Sequence, residues 1–394
     1  MQDRKIVTLK VIFLTSILIT VIFFTGCIED GKKLVDKYDG EIETRLDQVA
    51  TLPNWKSDRY HDYYQTTDML NDFNDRYPDL VDVSSIGKSV MGKDIWCIRI
   101  TNEKNNNNKY SCLIDGCIHG SEWEAGEACL YLAEFLLINY GSNNTVEDIL
   151  NNSEIYIIPI LNPDGRENNE RWNDNAIDLN RNFDAHFGRL KSRNIRLGNL
   201  FGVIKKPIIE FPILSKLFGL GEYNKYINCG RQAFSEPETS AYRDFANSLK
   251  DLSFYVACHT AQYWIGSVCN VDYKPEFVVT SHERTVFNSV LDWTDKNTEY
   301  PALYGEDYQH AGFGSAQDWF FKKFHIVSFT FEILNLDYEP GYHGGGSHDN
   351  LIHWMKSTLP VFIYLLVNIE NLHDWETTDI QPPLPEGVPP EPLK

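Results

Sequence analysis

Hydrophobic and polar positions alternate along the chain in two periods, one typical of strands and one typical of helices. Runs rich in β-branched and aromatic residues predict strands at 80–87, 95–100, 110–118, 154–161, 254–258 and 326–331. Longer runs with the helical period predict helices at 69–77, 124–139, 237–249, 281–295 and 351–368. Strands that alternate with helices indicate an α/β layer structure around a mostly parallel or mixed sheet.

The N-terminus carries a separate apolar run. Basic residues precede the run 11–24, whose length suits the core of a signal peptide and is short for a bilayer span. The run leads into Thr25-Gly26-Cys27, which resembles a lipobox with a lipidated cysteine. An uncleaved N-terminal anchor at 11–28 is the alternative. Both hypotheses predict an exported, cell-surface protein held at the membrane by this segment, because the positive charges precede the run.

The remaining pattern divides the chain into segments. Residues 1–27 are the predicted signal peptide and 28–57 a polar stalk, while 58–374 form the globular domain and 375–394 a proline-rich tail. Within the domain, residues 187–221 contain seven Lys or Arg and one Glu, although the chain as a whole is acidic. We interpret this stretch as a basic, apolar surface insertion. The alternative is that it contacts an anionic membrane surface near the anchor.

Composition narrows the classes of function. The 36 basic and 56 acidic residues give a net charge of -20, which repels phosphate backbones, so no nucleic acid partner is expected. Eight cysteines in 394 residues are too few for a disulfide scaffold, and no Cys-x-x-Cys pair indicates a thiolate metal site. Cys112, Cys117 and Cys258 lie on predicted core strands, where we expect small buried thiols.

Candidate metal ligands follow the predicted strands. His119 and Glu122 lie three positions apart after one strand, His259 follows a second, and Glu332 follows a third. In open α/β sheets, ligands bind at the carboxyl ends of the strands. Two histidines and one carboxylate form one type of catalytic zinc site, in which a further position stays open for water. The pattern thus indicates either such a site, with Glu332 as general base, or ordinary polar residues at strand ends.

Further motifs occur in a fixed order around these residues. They are Arg76-Tyr77-Pro78, Gly92-Lys93-Asp94-Ile95-Trp96, Asp178-Leu179-Asn180-Arg181-Asn182-Phe183, Asp318-Trp319 and Phe329-Thr330-Phe331-Glu332. Together they resemble the motifs of the zinc carboxypeptidase family, within the carboxypeptidase A superfamily of metallocarboxypeptidases. The resemblance implies a single three-layer α/β domain with a central mixed, mostly parallel twisted sheet flanked by helices. It also implies one Zn²⁺ per chain, bound by His119, Glu122 and His259.

The resemblance further implies how a substrate is held and cleaved. Peptides with a free C-terminus would bind through Asn180 and Arg181, since a guanidinium pairs with a carboxylate bidentately. Tyr308, or Tyr304 as the alternative, would cover the bound end and donate its hydroxyl group. Zinc would activate a water molecule, and Glu332 would take its proton.

Arg171 is the candidate for stabilising the oxyanion. Its place beyond the Asn162-Pro163-Asp164-Gly165 turn resembles that in bacterial members that cleave murein peptides. The leading hypothesis is therefore a peptidase that hydrolyses the C-terminal peptide bond outside the cell. The alternatives are a peptidase or amidase for cell-wall or cross-linked peptides, and a non-catalytic surface lipoprotein that binds peptide ends.

The segment Ser235-Glu236-Pro237-Glu238 resembles the family segment that precedes a helix. We interpret it as a capping box with proline in the first turn. This interpretation gives the two glutamates a structural task and no part in the reaction.

Overall fold

Helices and strands alternate along the chain in the computed structural model, which describes residues 50–55, 60–185, 187, 229–260, 263–267, 281–304, 314–333 and 348–373. The strands are β1 (Val81–Lys88), β2 (Asp94–Ile100), β3 (Tyr110–Asp115), β4 (Ser153–Ile158), β5 (Leu252–His259), β6 (Tyr263–Gly266), β7 (Ala302–Leu303) and β8 (Val327–Ile333). The helices are α1 (Tyr63–Arg76), α2 (Trp123–Asn139), α3 (Asn144–Asn152), α4 (Pro163–Asn168), α5 (Pro237–Ser248), α6 (Ser281–Asn297), α7 (Ala316–Phe324), α8 (His348–Val367) and α9 (Ile369–His373), with a 3-10 turn at Leu179–Arg181.

Several predictions fall outside the described residues. They concern the signal peptide with Cys27, residues 28–49 and 56–57 of the stalk, Tyr308, the insertion beyond residue 187 and the proline-rich tail. Within the described part of the chain, no helix combines the length and the hydropathy that are needed to cross a membrane.

The sheet has eight strands in the order β1-β2-β4-β3-β5-β8-β6-β7. The central pairs β4–β3, β3–β5 and β5–β8 are parallel. The pairs β1–β2, β2–β4 and β6–β8 are antiparallel and lie towards the edges. The prediction of a mixed, mostly parallel sheet is confirmed.

Helices cover both faces of this sheet. Every residue of β5 is buried, as expected for a central parallel strand between two helical layers. Tyr255 on β5 stacks on Phe320 of α7, with ring centroids 3.9 Å apart. Cys258 lies on the opposite face, where its thiol contacts Cys129 of α2. The three-layer α/β architecture is therefore confirmed.

The cysteines in the described residues are buried and free. Cys112, Cys117 and Cys258 belong to this group, as predicted from their positions on core strands. Burial raises the pKa of the Cys112 and Cys117 thiols. These side chains therefore serve as small apolar residues of the core.

The structure differs from the predicted elements at their ends. β3 ends at Asp115, and the chain turns at Cys117, whose φ of 50° does not fit a strand. β8 runs on to Ile333, so Glu332 lies within a strand and not after one. The short strands β6 and β7 and the helices α3, α4, α7 and α9 were not predicted. The strands among them are too short to show a period.

Residues 50–55 and 60–62 form a segment, here called the N-terminal strap, that lies along α2. Side chains of α2 bind the strap from one end of the helix to the other. The contacts are Glu124 Oε1 with the Tyr60 hydroxyl (3.0 Å), Glu127 with His61, Glu134 Oε2 with Trp55 Nε1 (2.6 Å), and Asn139 Oδ1 with Thr51 N (2.7 Å). The strap therefore fixes the helix that begins directly after Glu122.

His61 makes the strap sensitive to pH. Its Nδ1 lies 2.7 Å from Oε2 of the buried Glu127, and its backbone N–H donates to Oε1 at 2.6 Å. Arg166 donates to the His61 carbonyl and packs its guanidinium on the ring of Trp123, 3.5 Å from the centroid. Burial alone would lower the pKa of His61, but the hydrogen bond and charge of Glu127 raise it above its ordinary value.

We predict that His61→Gln destabilises the protein in a pH-dependent way. A histidine with a raised pKa in the folded state contributes its stability in full below its unfolded pKa of about 6.5, and loses it as pH rises through the folded value. The variant should lower the free energy of unfolding by about 1 kcal/mol near pH 5, since partial exposure screens the pair, and by less near pH 9. Urea denaturation at both pH values measures the difference.

His353→Gln is the matched control, because His353 also pairs with a glutamate, Glu299, but on an exposed surface. This control should change the free energy of unfolding little, because exposed ion pairs contribute little to stability. An equal loss at both pH values in His61→Gln would contradict the prediction.

Candidate metal centre

Three candidate ligands meet at one edge of the sheet. His119 lies in the loop after β3, Glu122 immediately precedes α2, and His259 is the last residue of β5. Their ligand atoms all lie within 4.8 Å of one another. β3 and β5 are parallel neighbours, so the loop after β3 and the last residue of β5 lie at the same edge of the sheet.

The donor atoms are arranged around the carboxylate of Glu122. His119 Nδ1 lies 2.7 Å from Oε1, and His259 Nδ1 lies 2.7 Å from Oε2. All three residues are buried. Burial would raise the pKa of Glu122, but the two facing imidazoles lower it far below its ordinary value. Two imidazole nitrogens and an ionised carboxylate are a donor set that fits a catalytic zinc ion.

The loop of His119 and Glu122 requires a close approach between two backbone segments. A Cβ at Gly120 would lie 2.0 Å from the carbonyl carbon of Gly165, so only glycine fits at position 120. Asn162 fixes the position of Gly165, since its Oδ1 accepts a hydrogen bond from the Gly165 N–H at 2.9 Å. The Asn162-Pro163-Asp164-Gly165 turn, where α4 begins, therefore supports the metal loop. Asp164 binds Lys93 Nζ at 3.1 Å and is not one of the three candidate ligands.

Asp178 joins the metal centre to Arg171, a role that the sequence analysis missed. Its Oδ1 lies 3.1 Å from His119 Nε2, and its Oδ2 accepts from Arg171 Nε at 3.0 Å. Burial would raise the pKa of Asp178, but Arg171, His119 and Arg181 lower it well below its usual range. A carboxylate on the far nitrogen of a metal-binding histidine fixes the orientation of the ring. The only available signal was its place at the start of the Asp178–Phe183 motif.

Arg171 reaches the centre itself. Its NH1 lies 3.4 Å from Glu122 Oε1, so the guanidinium lies at the rim of the ligand cluster. Arg171 is only partly buried, with 23% of its side chain exposed. The structure thus brings this predicted residue to the candidate metal ligands.

Asn180 and Arg181 lie on the 3-10 turn beside His259. Asn180 Nδ2 is 3.2 Å from His259 Nε2, and Oδ1 accepts from Ala316 N at 2.9 Å. Arg181 is half-buried, and its NH1 donates to the Asn180 carbonyl at 2.7 Å. Gly314, with a φ of 80°, packs directly on the Arg181 backbone. This contact holds the turn against the segment that begins α7.

Glu332 lies on β8 next to the ligand strand. It pairs with His259 across the β5–β8 ladder and with Trp264 across the β6–β8 ladder. Its side chain is half-buried at the edge where the ligands meet. Tyr304, the alternative to Tyr308, donates its hydroxyl group to Asp292.

Comparison with known proteins identifies the family. The sequence profile of the zinc carboxypeptidase family matches residues 66–204 and 215–338. The chain belongs to this family. Carboxypeptidase O of Bos taurus is 23% identical over 331 residues, which cover 78% of this chain and 79% of the relative.

Solved structures show the same fold. Carboxypeptidase A from Helicoverpa armigera is similar with a TM-score of 0.60 at 20% identity, over 87% of this chain and 81% of that one. Thrombin activatable fibrinolysis inhibitor is similar with a TM-score of 0.61 at 20% identity, over 88% and 81% of the two chains. The protein is therefore a zinc metallocarboxypeptidase, a peptide hydrolase of a family that uses one zinc ion.

We predict that Asp178→Asn weakens zinc binding about ten- to hundredfold, as is usual when the partner of a metal-binding histidine is removed. The amide keeps the size of the side chain but lacks the charge that orients His119. Competition with a chromogenic chelator measures the affinity. Asp184→Asn is the control, because Asp184 is exposed and its described contacts are with Lys322 and not with a candidate ligand. Equal zinc affinities in both variants would show that Asp178 does not support the metal.

Proposed function

We propose that this carboxypeptidase removes C-terminal residues from peptides outside the cell, held at the membrane by its N-terminal segment, with Glu332 as general base. One observation carries the catalytic part of the proposal. The complete His119, Glu122 and His259 donor set lies beside the strand that bears Glu332. The apolar run and its lipobox-like end carry the part that concerns location.

The substrate's free carboxylate would bind Arg181. The guanidinium is half-buried and offers paired donors to a carboxylate, and Asn180 beside it would add a neutral donor. Tyr308 would cover the bound residue. A cation for the chain end, placed near the metal ligands, selects the last peptide bond of a substrate over internal ones.

The other residues would act on the scissile bond. Bound zinc supplies Lewis-acid activation of a water molecule and of the carbonyl group. Glu332 would accept a proton from the attacking water and deliver it to the leaving amine. Arg171 would stabilise the charge that develops on the carbonyl oxygen, since its guanidinium lies at the rim of the ligand cluster.

A second candidate function is the cleavage of cell-wall or cross-linked peptides. It is favoured by the place of Arg171, which follows Gly165 at a spacing similar to that in bacterial members that act on murein peptides. Blocked dipeptides with free C-termini distinguish the two functions. Rapid hydrolysis of these small substrates supports a general carboxypeptidase, whereas hydrolysis of murein peptides alone supports the second function.

We predict that Glu332→Gln lowers kcat by about a thousandfold and leaves zinc bound, because the amide cannot accept the proton of the water. Turnover of a blocked dipeptide and the zinc content of the purified protein measure the two effects. Glu370→Gln, at an exposed position of α9, is the control and should retain full turnover. Undiminished peptidase activity in Glu332→Gln would refute its role as general base.

We predict that the full chain is recovered with the membrane fraction and that Cys27→Ser abolishes incorporation of a labelled fatty acid. Removing residues 1–27 should release the protein, whereas removing the tail 375–394 should not change its fractionation. Retained membrane association without labelling in the wild type would favour the uncleaved anchor. Recovery of the intact chain in the cytosolic fraction alone would overturn the proposed location.

A further inference from the structure

The Ser235-Glu236-Pro237-Glu238 segment has a different role from the predicted capping box. Pro237 does begin α5, but Glu236 at the N-cap makes no side-chain capping bond, so that prediction is wrong. Both glutamate side chains are buried, Glu238 completely. They turn towards a loop more than sixty positions earlier in the chain, where both accept hydrogen bonds from Asn173. We call this pair, Glu236 and Glu238, the carboxylate clamp.

Asn173 is held on all sides. Its Nδ2 donates to the clamp, at 2.9 Å to Glu236 Oε2 and 3.1 Å to Glu238 Oε2. Its Oδ1 accepts from the backbone N–H groups of Asn175 at 3.2 Å and Ile177 at 3.0 Å. The side chain is only 1% exposed, so these protein groups satisfy it. The orientation of this single amide is therefore fully determined.

The amide of Asn173 organises a tight turn. The Asn173 N–H donates to the Ile177 carbonyl at 3.1 Å, and the Ala176 N–H donates to the Asn173 carbonyl at 2.8 Å. Ala176 has a φ of 59°, a left-handed conformation that is unfavourable for alanine. A turn with such a residue needs fixed partners to keep its shape.

This turn lies between two residues of the metal centre. Arg171 stands two positions before Asn173, and Asp178 follows directly after Ile177. The Arg171 Nε–H donates to Asp178 Oδ2 at 3.0 Å and so closes the turn at its base. The shape of the turn thereby determines where the guanidinium of Arg171 points.

As a purely structural contact the carboxylate clamp is unfavourable, because it removes carboxylates from water. Two carboxylates are buried beside each other at the Asn173 amide group, although Glu236 also accepts from Asn175 and Glu238 from the Val90 N–H. Burial raises the pKa of Glu238 to about 7, with the charge of Glu236 adding to the effect. Apolar side chains would hold α5 to the turn without burying charge. They could not, however, determine the direction of an amide group. The contact is therefore better suited to orienting the Asn173 amide group than to holding α5 against the turn.

We propose that Asn173, held by the carboxylate clamp, is a positioning residue for Arg171. The inference rests on the proposed role of Arg171 in the reaction. Asn173 contacts neither the candidate ligands nor the residues assigned to the substrate carboxylate among the described contacts. It acts on catalysis only through the turn.

A double-mutant cycle tests the proposal. Asn173→Ala should lower kcat for a blocked dipeptide about tenfold or more and change KM less than about threefold, because the binding of the terminal carboxylate is untouched. In an Arg171→Ala background, Asn173→Ala should cause no further loss of kcat, since the group that it positions is gone. A general structural defect would instead lower kcat by the same factor in both backgrounds, and this outcome would overturn the proposal.

Asn175→Ala is the matched control. Asn175 lies in the same turn and donates to the same Glu236 Oε2, at 2.8 Å, but its side chain does not bind the backbone of the turn. This variant should keep kcat within about twofold of the wild type. A loss in Asn175→Ala equal to that in Asn173→Ala would count against a specific role for Asn173. If Asn173→Ala does not fold, Glu236→Gln, which keeps the size of the clamp, replaces it in the cycle.

A second measurement needs no activity. The NMR signal of the Arg171 Nε–H should be sharp and protected from exchange in the wild type and in Asn175→Ala, through its bond to Asp178. It should lose this protection in Asn173→Ala or Glu236→Gln, and unchanged protection would overturn the proposal. A wild-type protein without carboxypeptidase activity would refute the proposed function, while the Nε–H signal would still decide whether Asn173 positions Arg171.

Discussion

The buried carboxylate of Glu122 is the interaction on which the rest of the site depends. It faces two imidazoles at 2.7 Å each, in a place where an unpaired charge would be very unfavourable. This arrangement requires the ends of β3 and β5 and the start of α2 to meet within a few ångströms. The parallel pairing of the central strands brings the ends together, and the Gly120–Gly165 contact allows the loop to fold tightly enough.

Support for Glu122 extends well beyond the ligands. α2 begins at the next residue, and the N-terminal strap binds this helix from Glu124 to Asn139. On the other side, Asp178 holds His119, and the turn before Asp178 is fixed by the carboxylate clamp on α5. Each support pairs a buried charge or amide with a fixed partner. Such contacts specify one geometry, which a site for bond cleavage requires more than it requires additional stability.

The sequence predicts the parts of this arrangement that are local. Periodicity gives the central strands, and the short spacing of His119 and Glu122 after a strand indicates a metal loop. The contacts that hold α2 and His119 in place are not local in sequence. Asp178 binds a histidine 59 positions away, and His61 binds a glutamate 66 positions away. The wrong prediction of a capping box at Ser235-Glu236-Pro237-Glu238 has the same cause. A local pattern predicted a cap, but both glutamates of the segment accept hydrogen bonds from a buried amide in a distant turn.

The charges around Arg171 explain why the position of its guanidinium matters. Glu122 and Asp178 are both held ionised, and the guanidinium of Arg171 balances one of the two charges. A dication bound by the three ligands would reverse the sign of the net charge that remains, so the centre would become positive, as the proposed stabilisation of the substrate carbonyl requires. Arg171 contributes to this field from the rim, 3.4 Å from Glu122 and 3.0 Å from Asp178. A rotation of the guanidinium would weaken its contacts with both carboxylates, which would keep only their histidine and backbone partners. The turn that we propose to fix the guanidinium is therefore part of the electrostatics of the site.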